Sequence, residues 1–103
     1  MEYIQVLTTT GSKKDAERIA EKLLENKLAV CIQVSPISSI YRWKGKTEKG
    51  KEYLCIIKSQ KKLYKKIETT IKAIHPYEVP EIISVAVSCG SKRYLAWIEE
   101  ETT

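Results

Sequence analysis

No stretch of this 103-residue sequence approaches the roughly 20 consecutive apolar residues that a membrane-spanning helix needs. The first residues, Met1-Glu2-Tyr3-Ile4, set no basic region ahead of a long apolar core, so a secretory leader is not expected. The sequence carries a single histidine, His75. It has no Ser-His-Asp or Cys-His arrangement at a recognisable spacing and no glycine-rich phosphate loop, so an enzyme is not expected. The three cysteines, Cys31, Cys55 and Cys89, are odd in number and match no zinc spacing. They sit in apolar runs and read as buried free thiols of a reducing, cytoplasmic compartment.

Much else is ordinary for a globular chain. At 43% hydrophobic and 30% charged residues, residues 1–103 read as one domain with one core. The net charge of +5 is uneven. From Arg42 to Lys72 basic residues dominate, whereas the last third is acidic. A basic patch suits an anionic partner, but it is more often a solvated face. No RNP-like aromatic pair marks a central strand, so nucleic acid is not the expected partner. Opposite signs at the two ends of one small chain also suit self-association.

The apolar patterns define the elements. Tyr3–Thr9 reads as a strand. Ser12 followed by Asp15 resembles a capping box, and Ala16, Ile19, Ala20, Leu23 and Leu24 give a helical core stripe. Asn26 is the expected left-handed stop. Leu28–Val34 reads as a strand buried on both faces, with Pro36 marking a bulge or an edge. Strand character resumes through Trp43. Lys44-Gly45-Lys46 is the expected tip of a long hairpin, whose return strand reaches Lys58 with a kink near Lys49-Gly50-Lys51. Ser59 is the expected cap of a second helix over Lys61–Ile74, with a core stripe of Leu63, Ile67, Ile71 and Ile74 widened by Tyr64. A strand over Ile82–Val87 follows, and then a short helix opening at Gly90-Ser91. Glu99, Glu100 and Glu101 close that helix, where the dipole disfavours them unless a neighbour meets them.

This order is β-α-β-β-α-β plus a terminal helix. It predicts an α+β, ferredoxin-like antiparallel sheet with two helices on one face. The hairpin is longer than one small domain can cover and the other sheet face is bare, so an oligomer is expected. Between the second helix and the last strand lies His75-Pro76-Tyr77-Glu78-Val79-Pro80-Glu81. Each proline disfavours helix at the residue before it, so this segment is stiff and extended. It reads either as a connector or as a site.

Several motifs together resemble CutA, the divalent-cation tolerance proteins. They are Ala16-x-x-Ile19-Ala20-x-x-Leu23-Leu24, Leu28-Ala29-x-Cys31, Ser39-x-Tyr41-x-Trp43-x-Gly45-Lys46, Ile57-Lys58, His75 to Glu81, and Tyr94-Leu95-x-Trp97-Ile98. They span nearly the whole chain. The resemblance implies a cytoplasmic homotrimer in which long hairpins wrap neighbouring subunits. It also implies a role in tolerance of copper and other divalent cations, by binding or signalling and without an agreed catalytic activity. A likeness to the PII signalling proteins implies an alternative: a module that binds a small effector between subunits and touches metals only indirectly.

The resemblance implies copper ligands at positions held here by Thr8, Ile74 and His75. Only His75 can ligate, and one imidazole supports no more than weak binding of Cu²⁺ or another divalent cation. Tyr41, Trp43, Lys58, Tyr77 and Glu81, near His75, have the mixture of an inter-subunit pocket for an anionic or metal ligand. The same aromatics also suit a plain subunit interface, and Lys58 and Glu81 a plain ion pair.

Overall fold

The structure, a computed structural model, describes residues 2–103; Met1, part of the stretch read for a leader, lies outside them. Its elements are β1 (Tyr3–Thr10), α1 (Lys13–Glu25), β2 (Cys31–Trp43), β3 (Lys46–Gln60), a 3₁₀ turn (Lys61–Leu63), α2 (Tyr64–Ile74), β4 (Ile83–Val87) and α3 (Lys92–Glu101). The four strands form one antiparallel sheet in the order β2-β3-β1-β4. This is the ferredoxin-like arrangement that the element order predicts.

Strand alternation sorts the core from the opposite face. Ile4, Val6, Thr8 and Thr10 of β1 and Cys55, Ile57 and Ser59 of β3 are buried on one face. Against them pack Ala16, Ile19 and Leu23 of α1 and Leu63, Ile67 and Ile71 from the second helical segment. These are the stripes expected at helical spacing, although Leu24 turns out to be exposed. The Ser12 cap forms: the Asp15 amide donates to Ser12 Oγ at 3.1 Å, and the Ser12 hydroxyl donates to Asp15 Oδ2 at 3.0 Å, so Asp15 returns to the hydroxyl of the cap and not to its amide.

Several expectations need correction. The left-handed residue after α1 is Lys27 (φ 57°), not Asn26 (φ −87°). Lys27 and Leu28 donate their amides back to the carbonyls of Leu24 and Leu23, at 3.0 and 2.9 Å, a Schellman closure that tucks Leu28 against the core. Part of the apolar run at Leu28–Val34 is therefore connection, and β2 starts only at Cys31. It is an edge strand with Gln33 exposed, not a strand buried on both faces. Pro36 sits on that edge without a bulge, because the β2–β3 register runs unbroken from Cys31↔Lys58 to Trp43↔Lys46. For the same reason Gly50 makes no kink.

Ser59 does not cap the second helix. It is buried in β3 and donates Oγ–H to the Leu28 carbonyl at 2.6 Å, and the helix opens through the 3₁₀ turn with no side-chain cap. Of the thiols only Cys55 is buried; Cys31 is half-buried and Cys89 exposed. The apolar spacing that predicted three buried thiols does not register that β2 and β4 are edges.

The face of the sheet away from α1 and α2 is partly covered by α3. Ile98 is buried there, Gln60 Nε2 donates to Thr102 Oγ1 at 2.8 Å, and the Tyr3 hydroxyl donates to the Glu99 carboxylate. Glu99 is thus met by a hydrogen-bond donor, which accounts for one of the three terminal acids. Ile83 and Val85 of β4, 50% and 46% exposed, stay open.

Among the described residues, Thr8 Oγ1 is the one buried side-chain polar atom without a hydrogen-bond partner. A buried hydroxyl left unpaired costs about 1–3 kcal/mol. Thr8→Val keeps the shape and removes the orphan group, so it should stabilise the fold by about 1 kcal/mol. Chemical denaturation at matched protein concentration reads this directly, and a loss of stability would show that the hydroxyl has a partner in solution.

Candidate functional site

The site lies where the sheet steps down from three strands to two. β1 pairs with β3 only from Tyr53 to Gln60, so residues 46–52 of β3 pair with β2 alone. The hairpin continues past the sheet as a two-stranded arm, and the protein is 44 Å long but only 25 by 21 Å across. Lys44 (φ 50°) and Gly45 (φ 80°) close its tip, with the left-handed backbone that a two-residue hairpin turn requires.

The segment 75–81 fills the corner below this step. Arg18 Nη2 donates to the Ile74 carbonyl at 3.0 Å, satisfying an otherwise free group at the end of α2. His75 then turns extended (φ −75°, ψ 131°), as a residue before proline should. Its ring is held at both nitrogens. The Tyr77 amide donates to Nδ1 at 3.1 Å, and Nε2 lies 2.8 Å from the Thr9 carbonyl. An acceptor at Nδ1 and a carbonyl at Nε2 fix the proton on Nε2. The imidazole therefore ties the segment to the last turn of β1.

That anchor presents Tyr77. Its ring stands 4.9 Å from that of His75, and its hydroxyl donates to Glu52 Oε2 at 2.7 Å. Burial, and next the Glu52 carboxylate that accepts its proton, hold the Tyr77 phenol well above its ordinary range. Gly11 makes room for it, since a β-carbon there would lie 3.3 Å from the hydroxyl.

Between arm and segment runs a groove of about 820 Å³, lined by Tyr41, Trp43, Arg42 and Glu52 from the hairpin and by Tyr77, Glu78, Val79 and Glu81 from the segment. Tyr41, Trp43 and Tyr77 are 48%, 37% and 37% exposed, so their rings are open to a ligand or a partner. Four of the expected pocket residues, Tyr41, Trp43, Tyr77 and Glu81, come together here. Lys58 does not join them within the protomer. It pairs with Gln5 and Cys31, roughly 20 Å along β3 from Glu52, and its ammonium sits 5.8 Å from the Tyr94 ring centre. It makes no ion pair with Glu81. His75 lies behind Tyr77 and does not line the groove.

Glu52 was missed from sequence. Its signal was the hairpin register: a two-residue turn at Lys44-Gly45 pairs Tyr41 with Glu48 and Ile37 with Glu52, which puts both glutamates on the face of Tyr41.

The profile of the CutA1 divalent ion tolerance proteins matches residues 4–101. The chain belongs to the CutA1 divalent ion tolerance family. The divalent-cation tolerance protein CutA of Thermus thermophilus is 39% identical over 98 residues, covering 94% of this chain and 95% of the relative. The solved structure of the periplasmic divalent cation tolerance protein CutA from Archaeoglobus fulgidus has a TM-score of 0.95 at 36% identity, covering 96% of this chain and 97% of that one. CutA1 from Oryza sativa gives 0.96 at 35% identity, over 100% and 95% of the two chains. Among the described residues no helix is long and apolar enough to cross a membrane.

The family name implies a divalent cation, and the residues of one protomer do not fit a tight site for it. Among the described residues no three His, Cys, Asp or Glu side chains converge on a common point. Thr8 is buried and Ile74 packs on the core. A metal reaches His75 only by displacing a hydrogen bond that orders the segment.

His75→Ala removes both the anchor to Thr9 and the acceptor of the Tyr77 amide. Loss of one such bond, about 1 kcal/mol, should speed hydrogen exchange at residues 75–81 about fivefold while α1 and β1 exchange as before. Unchanged exchange in the segment would refute the anchoring role.

Proposed function

We propose that the chain serves divalent-cation tolerance as a cytoplasmic homotrimer that binds a small ligand in the groove and signals its state, and that it does not turn over a substrate. The observation that carries this reading is the groove itself. It has three open aromatic rings and several carboxylates, but among the described residues no three-donor metal cluster and no cysteine or serine nucleophile beside a base. Cys55 is no exception, because burial raises its thiol to about 11 and leaves it protonated at neutral pH. Contact with Cu²⁺ or another divalent cation is weak and secondary to the effector.

The trimer is supported by the two-stranded arm, since a lone hairpin is at best marginal in water. It is supported again by Ile83 and Val85 on the open sheet face and by Tyr94 and Trp97, each 40% exposed. Arms wrapping neighbouring subunits would cover these surfaces and bring a second chain to the groove. The cytoplasmic placement is supported by the free thiols, of which Cys89 is exposed and would be open to oxidation in an oxidising compartment.

Sedimentation velocity should give one species at three times the chain mass; a monomer would overturn the assembly. Calorimetric titration with Cu²⁺ should give a dissociation constant no tighter than on the order of 10 μM. It should change little in His75→Ala, because this imidazole is already committed to Thr9 and Tyr77. Submicromolar binding that vanishes in the variant would instead establish a dedicated His75 metal site and end the effector reading.

A further inference from the structure

The geometry points to an organic ammonium ion, and not an anion or a bare metal ion, as the ligand of the groove between the arm and segment 75–81. This rests on the groove being a ligand site. Its charge decides the class. Within one protomer Glu52, Glu78 and Glu81 line it against Arg42 alone, so this chain's contribution to the groove is net negative although its overall net charge is +5. Lys58, the cation that would have suited an anionic ligand, lies within the protomer roughly 20 Å along β3 from Glu52, beside Tyr94. Among the described residues neither Glu78 nor Glu81 nor Arg42 enters a salt bridge. Within the protomer the two glutamates are thus free to meet a cation from outside.

The walls decide between kinds of cation. A small divalent ion is strongly hydrated and binds tightly only where several oxygen, nitrogen or sulfur donors replace its water. No three such donors converge among the described residues. An alkylated ammonium gives up its weak hydration readily and is attracted to the faces of aromatic rings, Trp best of all. Tyr41, Trp43 and Tyr77 supply three rings with more than a third of their surface open. Trp43 already plays this part within the chain, with the Lys44 ammonium 5.8 Å from its ring centre. The aromatic faces hold the alkyl groups, and Glu78 and Glu81 supply long-range attraction. Glu52 is oriented by the Tyr77 hydroxyl and keeps a second oxygen for the ligand.

The test is a titration of the intact protein at constant ionic strength, following tryptophan emission, with tetramethylammonium chloride, magnesium chloride and sodium citrate in separate arms. The wild-type protein should respond saturably to tetramethylammonium and to neither of the others. The Glu78→Gln, Glu81→Gln double variant should bind it about fivefold more weakly. These glutamates are exposed, so the fold should survive the exchange, and thermal melting of the variant verifies that it does. Saturable binding of citrate or magnesium without tetramethylammonium would overturn the ligand class and leave the groove as a site. Equal tetramethylammonium affinity in the double variant would also overturn it. Silence towards all three probes would overturn both the ligand class and the groove reading.

Discussion

The structure depends on unequal pairing along one strand. β3 is 15 residues long and pairs with β2 from Lys46 to Lys58, but β1 supports it only from Tyr53 onward. The supported half carries the buried face, with Cys55, Ile57 and Ser59 under α1 and α2. The unsupported half has no helix over it and no third strand beside it. With its β2 partner, Ile37 to Trp43, it holds mostly charged, polar and aromatic groups, and its two aliphatics are Ile37 and Ile40, the latter 69% exposed. Core and arm are therefore two ends of the same ladder, and the groove exists because the ladder outruns its neighbour.

His75 shows how that geometry changes the chemistry of a residue type. A neutral imidazole offers one lone pair, which is what a metal would take. Here Tyr77 N–H takes it, while the opposite nitrogen is directed at the Thr9 carbonyl. The histidine is spent on holding Pro76 and Tyr77 at the end of β1. The same two contacts turn Tyr77 towards Glu52, so the single histidine acts on the groove through a tyrosine and not through its own ring.

What was legible in the sequence follows from the range of the interactions involved. The α1 stripe, its Ser12–Asp15 cap, the turn at Lys44-Gly45 and the extended backbone at His75 are decided within a few residues, and apart from the exposed Leu24 they appear as read. Ser59 looked like a cap because serine before a helix usually is one. Its hydroxyl instead found the Leu28 carbonyl, 31 residues away, and no local pattern announces that. Asn26 and Lys27 differ by one position, and closure onto Leu23 and Leu24 chose the lysine despite the cost of a left-handed β-carbon. In the groove, Tyr41, Trp43, Tyr77 and Glu81 could be grouped by type. Lys58 stands apart from them within the protomer, because its place depends on where β1 ends relative to β3. That is a pairing register, not a composition.

The groove's two walls come from parts of the fold with different stabilities. Segment 75–81 is anchored through His75 to β1, next to the buried core, and so shares the stability of the domain. The arm is held by one ladder and an isolated turn, and belongs to the part of the molecule that opens most easily. A ligand that bridges Trp43 on the arm and Tyr77 on the segment must order the first against the second. Anything that covers the arm, including another copy of the chain, lowers that ordering cost before the ligand arrives, and the ligand in turn favours the covered arm. Binding in the groove and burial of the arm are thus linked with the same sign. The physical origin of that linkage is the seven residues of β3, Lys46 to Glu52, that β1 does not reach.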